Sequence, residues 1–119
     1  MQKVYIDEKY FLNVQVEGNT HLPKIIFSNS LGSDLRIWDN QVETLKDKFC
    51  IIRYDTRGHG QSSKFEAPFS FNMLENDVIR ILDELNIEKA HFVGLSIGGM
   101  TSLGLALKHQ NRFNKIVCC

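Results

Sequence analysis

"HFVGLSIGGM" (His91–Met100) sets one serine between two glycines, directly after an apolar run and directly before a stretch of small residues at helical spacing. Gly94-Leu95-Ser96-Ile97-Gly98 is a G-x-S-x-G pattern, and a strand before it with a helix after it is the context in which that pattern presents a nucleophile. A turn this sharp forces the serine into a strained backbone. Side chains at Gly94 and Gly98 would collide with strand and helix. The hydroxyl is lifted clear of the sheet, and the next backbone N–H falls at a helix N-terminus, where positive dipole character favours an oxyanion. Ser96 is the candidate nucleophile and the Ile97 N–H a candidate oxyanion donor. The same five residues arise by chance in glycine-rich turns, so the elements around them carry the reading.

Those elements alternate. Leu12, Val14 and Val16 against Asn13, Gln15 and Glu17 read as a half-buried strand ending at Gly18-Asn19, and "KVYI" before it completes an N-terminal hairpin. "KIIF" (Lys24–Phe27) and "FCIIRY" (Phe49–Tyr54) are continuous apolar runs, as expected of strands covered on both faces of a parallel sheet. Trp38, Val42 and Leu45 place an amphipathic helix between them. Leu74, Val78, Ile81, Leu82 and Leu85 form the stripe of a second helix, with Glu75, Asp77, Arg80, Asp83 and Glu84 expected on its solvent side and Asn86 as a left-handed stop. The strand "AHFVG", the turn, a helix from about Gly98 to His109 and a strand from Phe113 to Cys119 follow. Strands alternating with helices after an antiparallel start predict an α/β fold: a mostly parallel sheet with helices on both faces, in one domain spanning 1–119. Chemistry in such sheets collects at the carboxyl ends of the strands.

Two other loops lie at those ends. "SNSLGSD" (Ser28–Asp34) follows "KIIF", where a second oxyanion donor is needed. Its spacing to Trp38 places the Leu31 N–H in that role, paired with Ile97, while Ser33 or Asp34 serves as a helix N-cap. "DTRGHGQS" (Asp55–Ser62) follows "FCIIRY". His59 between two glycines reads as a turn residue satisfied locally, and Asp55 and Arg57 as an ion pair pinning the loop. His91 is expected in the core or on a sheet face, and His21 and His109 on the surface.

Composition excludes several classes. The 119 residues carry 14 Lys plus Arg against 14 Asp plus Glu, without a block of like charge, so nothing here attracts nucleic acid or an anionic membrane. The N-terminus lacks the apolar run of a secretory signal, no segment has the length of a membrane span, and a soluble cytoplasmic protein is the expectation. Cys50, Cys118 and Cys119 lie in apolar runs without zinc-ligand spacing and are expected as small buried hydrophobes. No metal site is read from the sequence.

"NSLGSDLRIWDNQ", "RYDTRGHGQS" and "HFVGLSIGGM" together resemble the N-terminal half of an α/β-hydrolase, most of all the 3-oxoadipate enol-lactonases. The serine turn and the D-x-R-G-x-G-x-S loop are superfamily-wide. Asn29-Ser30-Leu31-Gly32, standing where many relatives carry His-Gly, narrows the resemblance to the lactonase-like group. It implies cofactor-free opening of an enol-lactone to 3-oxoadipate in aromatic-compound catabolism, with a small lactone or ester as substrate. It also implies a longer chain: a helical cap, later strands, and the Asp and His of the triad have no counterpart here. The expectation is therefore a partial α/β-hydrolase with little activity alone, prone to self-association or in need of a C-terminal partner polypeptide. A carboxylesterase, a carbon–carbon bond hydrolase and a cofactor-free perhydrolase remain alternatives, as does an inactive or complementing fragment. Serine rather than aspartate at 96 argues against haloalkane dehalogenase and epoxide hydrolase chemistry, which form their ester on a carboxylate.

Overall fold

In the computed structural model, which describes residues 1–119, the two early runs pair as the alternation requires. Strand β1 (Gln2–Tyr5) lies antiparallel to β2 (Phe11–Glu17), and β2 lies antiparallel to β4 (Cys50–Tyr54). From there the sheet is parallel: β4 beside β3 (Lys24–Ser28), β3 beside β5 (Ala90–Gly94), and β5 beside β6 (Phe113–Cys118). The spatial order is β1-β2-β4-β3-β5-β6.

Three helices connect the parallel strands: α1 (Asp39–Leu45), α2 (Phe71–Glu84) and α3 (Ile97–Lys108), with a 3-10 turn at Leu35–Trp38 leading into α1. Each apolar stripe meets one sheet face. Trp38 and Val42 bury against Ile25, Phe27 and Ile51 on the first face. Val78, Ile81, Leu82 and Leu105 bury against Ile26, Ile52 and Phe92 on the second. Because β3 and β4 are covered on both sides, consecutive residues such as Ile25, Ile26 and Phe27 are all buried, which is why these strands read as unbroken apolar runs. Each fully buried Phe or Ile contributes ~1.5–3 kcal/mol from apolar area removed from water. Asn86 ends the α2 connection with φ 57°. No helix is long and apolar enough to cross a membrane.

The chain leaves β3 toward β4 and leaves β5 toward β6, in opposite directions across the sheet. Between β3 and β5, at their carboxyl ends, lies the crevice that such a reversal opens.

Several sequence expectations are corrected. Glu75 and Asp77 do not face solvent: both are buried, Glu75 against Lys108 Nζ at 2.9 Å and Asp77 against the Arg57 guanidinium at 2.6 and 2.9 Å. A charge on the far side of a stripe is buried when a neighbouring element supplies its counter-ion. Cys50 is buried as expected, but Cys118 and Cys119 are exposed, at the end of β6, the edge strand of the sheet. His109 is half-buried rather than on the surface.

Candidate active site

Ser96 sits between β5 and α3 with φ 57° and ψ −109°, a conformation that side chains avoid. The flanking glycines make it reachable. A Cβ on Gly94 would run into the Gly98 carbonyl, and one on Gly98 would stand 2.5 Å from the Ser28 carbonyl oxygen. Gly99 is equally confined, 2.8 Å from the Cys119 carbonyl oxygen if it bore a Cβ. The turn is tied to both neighbouring strands: Leu95 N–H donates to Ser28 O at 3.1 Å, and Ser96 N–H donates to Cys119 O at 2.9 Å. These bonds hold a strained residue in place at the head of a helix.

The Ser96 side chain is exposed, and its hydroxyl makes no hydrogen bond within the chain. Ile97, as the first residue of α3, has no intrahelical acceptor for its N–H. Across the crevice Ser28 stands in register with Gly94, so Leu31 and Ile97 each lie three residues beyond the same rung of the sheet. Leu31 is exposed and its N–H also donates to no group of the chain. The structure thus presents a hydroxyl and two unengaged amides at the ends of adjacent strands.

None of the four histidines bonds to Ser96. His59 is the turn residue expected: its N–H donates to Thr56 O at 2.8 Å and its Nδ1 lies 3.0 Å from Arg57 O. His91 is half-buried on β5 with its ring edge-on to Phe49, and its Nδ1 is buried without a partner. His21 is exposed in the loop before β3.

The expected Asp55–Arg57 pair is not formed. Arg57 turns instead to Asp77 on α2 and lies over the Phe65 ring at 4.7 Å. Burial pushes the Asp77 carboxyl above the usual range, and the Arg57 hydrogen bonds offset part of that rise. Asp55 is a buried acceptor hub: Oδ1 takes the Leu35 N–H at 2.8 Å, and Oδ2 takes Asn13 Nδ2 at 3.1 Å and the Gln61 N–H at 2.8 Å. It joins β2, the loop after β4 and the 3-10 turn. Asp34 caps that turn through the Arg36 N–H at 2.9 Å, as expected, and the Arg36 side chain holds its carboxyl down to about 2.

Sequence reasoning missed Ser28, Asn29 and Tyr54, which lock the end of β3. The Tyr54 phenol donates to Ser28 Oγ at 2.9 Å, and burial raises its pKa further above the usual tyrosine range. Asn29 is fully buried between Tyr54 O and Trp38 Nε1, each 2.8 Å away. An asparagine just past an apolar strand, with a tryptophan nine residues on, was the only local signal.

Residues 23–119 match the alpha/beta hydrolase fold family. A curated relative, 3-oxoadipate enol-lactonase 1 of Acinetobacter baylyi, is 50% identical over 105 residues, covering 88% of this chain and 39% of its own length. Among solved structures, a hydrolase from Pseudomonas aeruginosa superposes with TM-score 0.94 at 36% identity, over 97% of this chain and 43% of that one. The enol-lactonase from Burkholderia xenovorans superposes with TM-score 0.90 at 40% identity, over 94% and 44% respectively. The chain spans about two fifths of the length of the curated relatives it matches.

Proposed function

Because the chain belongs to the alpha/beta hydrolase fold family, we propose that it carries the nucleophile and oxyanion half of a serine hydrolase acting on a lactone, with 3-oxoadipate enol-lactone as substrate. The observation that carries the reading is Ser96 itself: a non-glycine residue at φ 57° and ψ −109°, its hydroxyl exposed at the head of α3. The similarity to enol-lactonases at 50% identity supports the choice of substrate class.

Ser96 Oγ attacks the lactone carbonyl carbon. As the carbonyl oxygen gains charge, the Leu31 and Ile97 N–H groups donate to it, in the role that oxyanion donors play in acyl transfer. Ring opening leaves an acyl ester on Ser96, which water then cleaves. Serine is a weak nucleophile at neutral pH without a base to take its proton. None of the four histidines bonds to Ser96, so the reading requires a base that residues 1–119 do not place beside it.

The test is hydrolysis of 3-oxoadipate enol-lactone by the chain alone, and by the chain mixed with the complementary C-terminal segment of the Acinetobacter baylyi enol-lactonase. Little turnover alone, activity on mixing, and loss of that activity in Ser96→Ala would establish the reading. Turnover by the mixed Ser96→Ala variant at the unmodified rate would refute it.

A further inference from the structure

The loop that carries Leu31 is a tight turn. Ser33 N–H donates to Ser30 O at 3.3 Å, Ser33 Oγ donates to the same oxygen at 2.7 Å, and Gly32 takes φ 76°. A glycine with positive φ in the third position is the mark of a type II turn, and Leu31 occupies the second. Nothing inside the turn engages the Leu31 N–H, so its direction depends on how the turn is mounted.

Its C-terminal mount is Asp55, which takes the Leu35 N–H. Its N-terminal mount is Asn29, one residue before the turn begins. Asn29 Nδ2 donates to Tyr54 O on β4, and Asn29 Oδ1 accepts from Trp38 Nε1 ahead of α1, both at 2.8 Å. The orientation of the amide is decided by its partners, since a carbonyl cannot donate and an indole N–H cannot accept. Trp38 is itself held against Phe27 of β3, ring centroids 4.6 Å apart. One planar side chain therefore ties the root of the Leu31 turn to β4 and to the 3-10 turn.

We propose that Asn29 is a positioning residue, an amide clamp that aims the Leu31 N–H at the oxygen held by Ile97. The inference rests on the reading of Leu31 as an oxyanion donor. The two partners require a side chain that both donates and accepts. Aspartate would set a carboxylate against the Tyr54 carbonyl, and alanine would leave a buried carbonyl and a buried indole N–H without partners.

The probe is benzeneboronic acid added to the full chain, followed by amide NMR. Ser96 Oγ bonds to the trigonal boron, its proton passes to buffer base, and the resulting tetrahedral boronate keeps both hydroxyls and carries the negative charge. In the unmodified chain the Leu31 and Ile97 amide signals move together on one saturation curve. In Asn29→Ala the Ile97 signal still moves, the Leu31 signal does not, and binding weakens about ten-fold, the scale of one hydrogen bond to a charged oxygen. Tyr54→Phe is the control: it deletes the phenol bond to Ser28 but keeps the main-chain carbonyl that Asn29 engages.

Asn29→Ala binding like the unmodified chain, with both signals moving, overturns the proposal. An equal loss in Tyr54→Phe also overturns it, by tracing the effect to general loosening of the strand end. If Asn29→Ala does not fold, Trp38→Phe decides: the ring stays, the indole donor goes, and unchanged binding refutes the clamp. A Leu31 signal that ignores the probe in the unmodified chain, while Ile97 responds, is a different failure, of the oxyanion reading itself.

Discussion

A Cβ added to Gly98 would stand 2.5 Å from the carbonyl oxygen of Ser28, closer than real side-chain carbons come to a backbone atom. The head of α3 rests directly on the end of β3, so the Ser96 turn and the Leu31 loop keep their spacing by backbone contact. Gly98→Ala must push the two apart. We expect it to destabilise the chain by ~1–3 kcal/mol, the cost of overpacking, measured by urea unfolding. A neutral result would mean that the contact is looser than it stands.

Ser96→Gly should have the opposite sign. The serine holds φ 57° and ψ −109°, where glycine pays no steric cost, while glycine loses more freedom on folding. The net expectation is a gain of ~1 kcal/mol relative to Ser96→Ala, which keeps the strained Cβ. Equal midpoints for the two variants would show that the turn is unstrained.

Arg57→Met isolates the buried carboxylate of Asp77. Removing one partner of a buried pair costs ~3–5 kcal/mol, and the side chains here are 11% and 4% exposed. The pH dependence has a definite sign. The folded Asp77 carboxyl titrates above its unfolded value of about 4, so the folded state holds the proton longer, and its contribution to stability falls as pH rises between the two values. Without Arg57 the folded value climbs further. The deficit of the variant should be largest at neutral pH and shrink as pH falls through the raised value. A deficit that grows on acidification would contradict burial as the dominant cause.

Met100, Leu103 and Leu107 on α3 and Val117 on β6 are each more than half exposed, and the outer edge of β6 has no partner strand. An exposed apolar helix face beside an unpaired strand favours association. The 119-residue chain is expected to self-associate in light scattering, and Leu103→Glu with Val117→Lys to restore dispersion. A dispersed monomer with a sharp cooperative melt in the unmodified chain would dismiss this expectation.

What the sequence determined by itself was local in origin. The strands β3 and β4 were legible because burial on both faces leaves unbroken apolar runs, and α2 because its stripe repeats every three to four residues. The Ser96 turn was legible because its glycines answer to collisions within a few residues of it and with the next strand. Tertiary structure decided the partnerships. Arg57 lies two residues from Asp55, yet it pairs with Asp77 on α2, twenty positions away. Glu75 is buried because Lys108 reaches it from α3 across 33 positions and Gly104 leaves room for its carboxylate. Asn29 marked the family resemblance, but its partners came into view only when the sheet brought the Tyr54 carbonyl and the Trp38 indole to either side of its amide. Hydrophobic burial leaves a periodic trace along the chain; a hydrogen bond or ion pair is settled by which groups folding makes neighbours, and spacing along the chain does not record that.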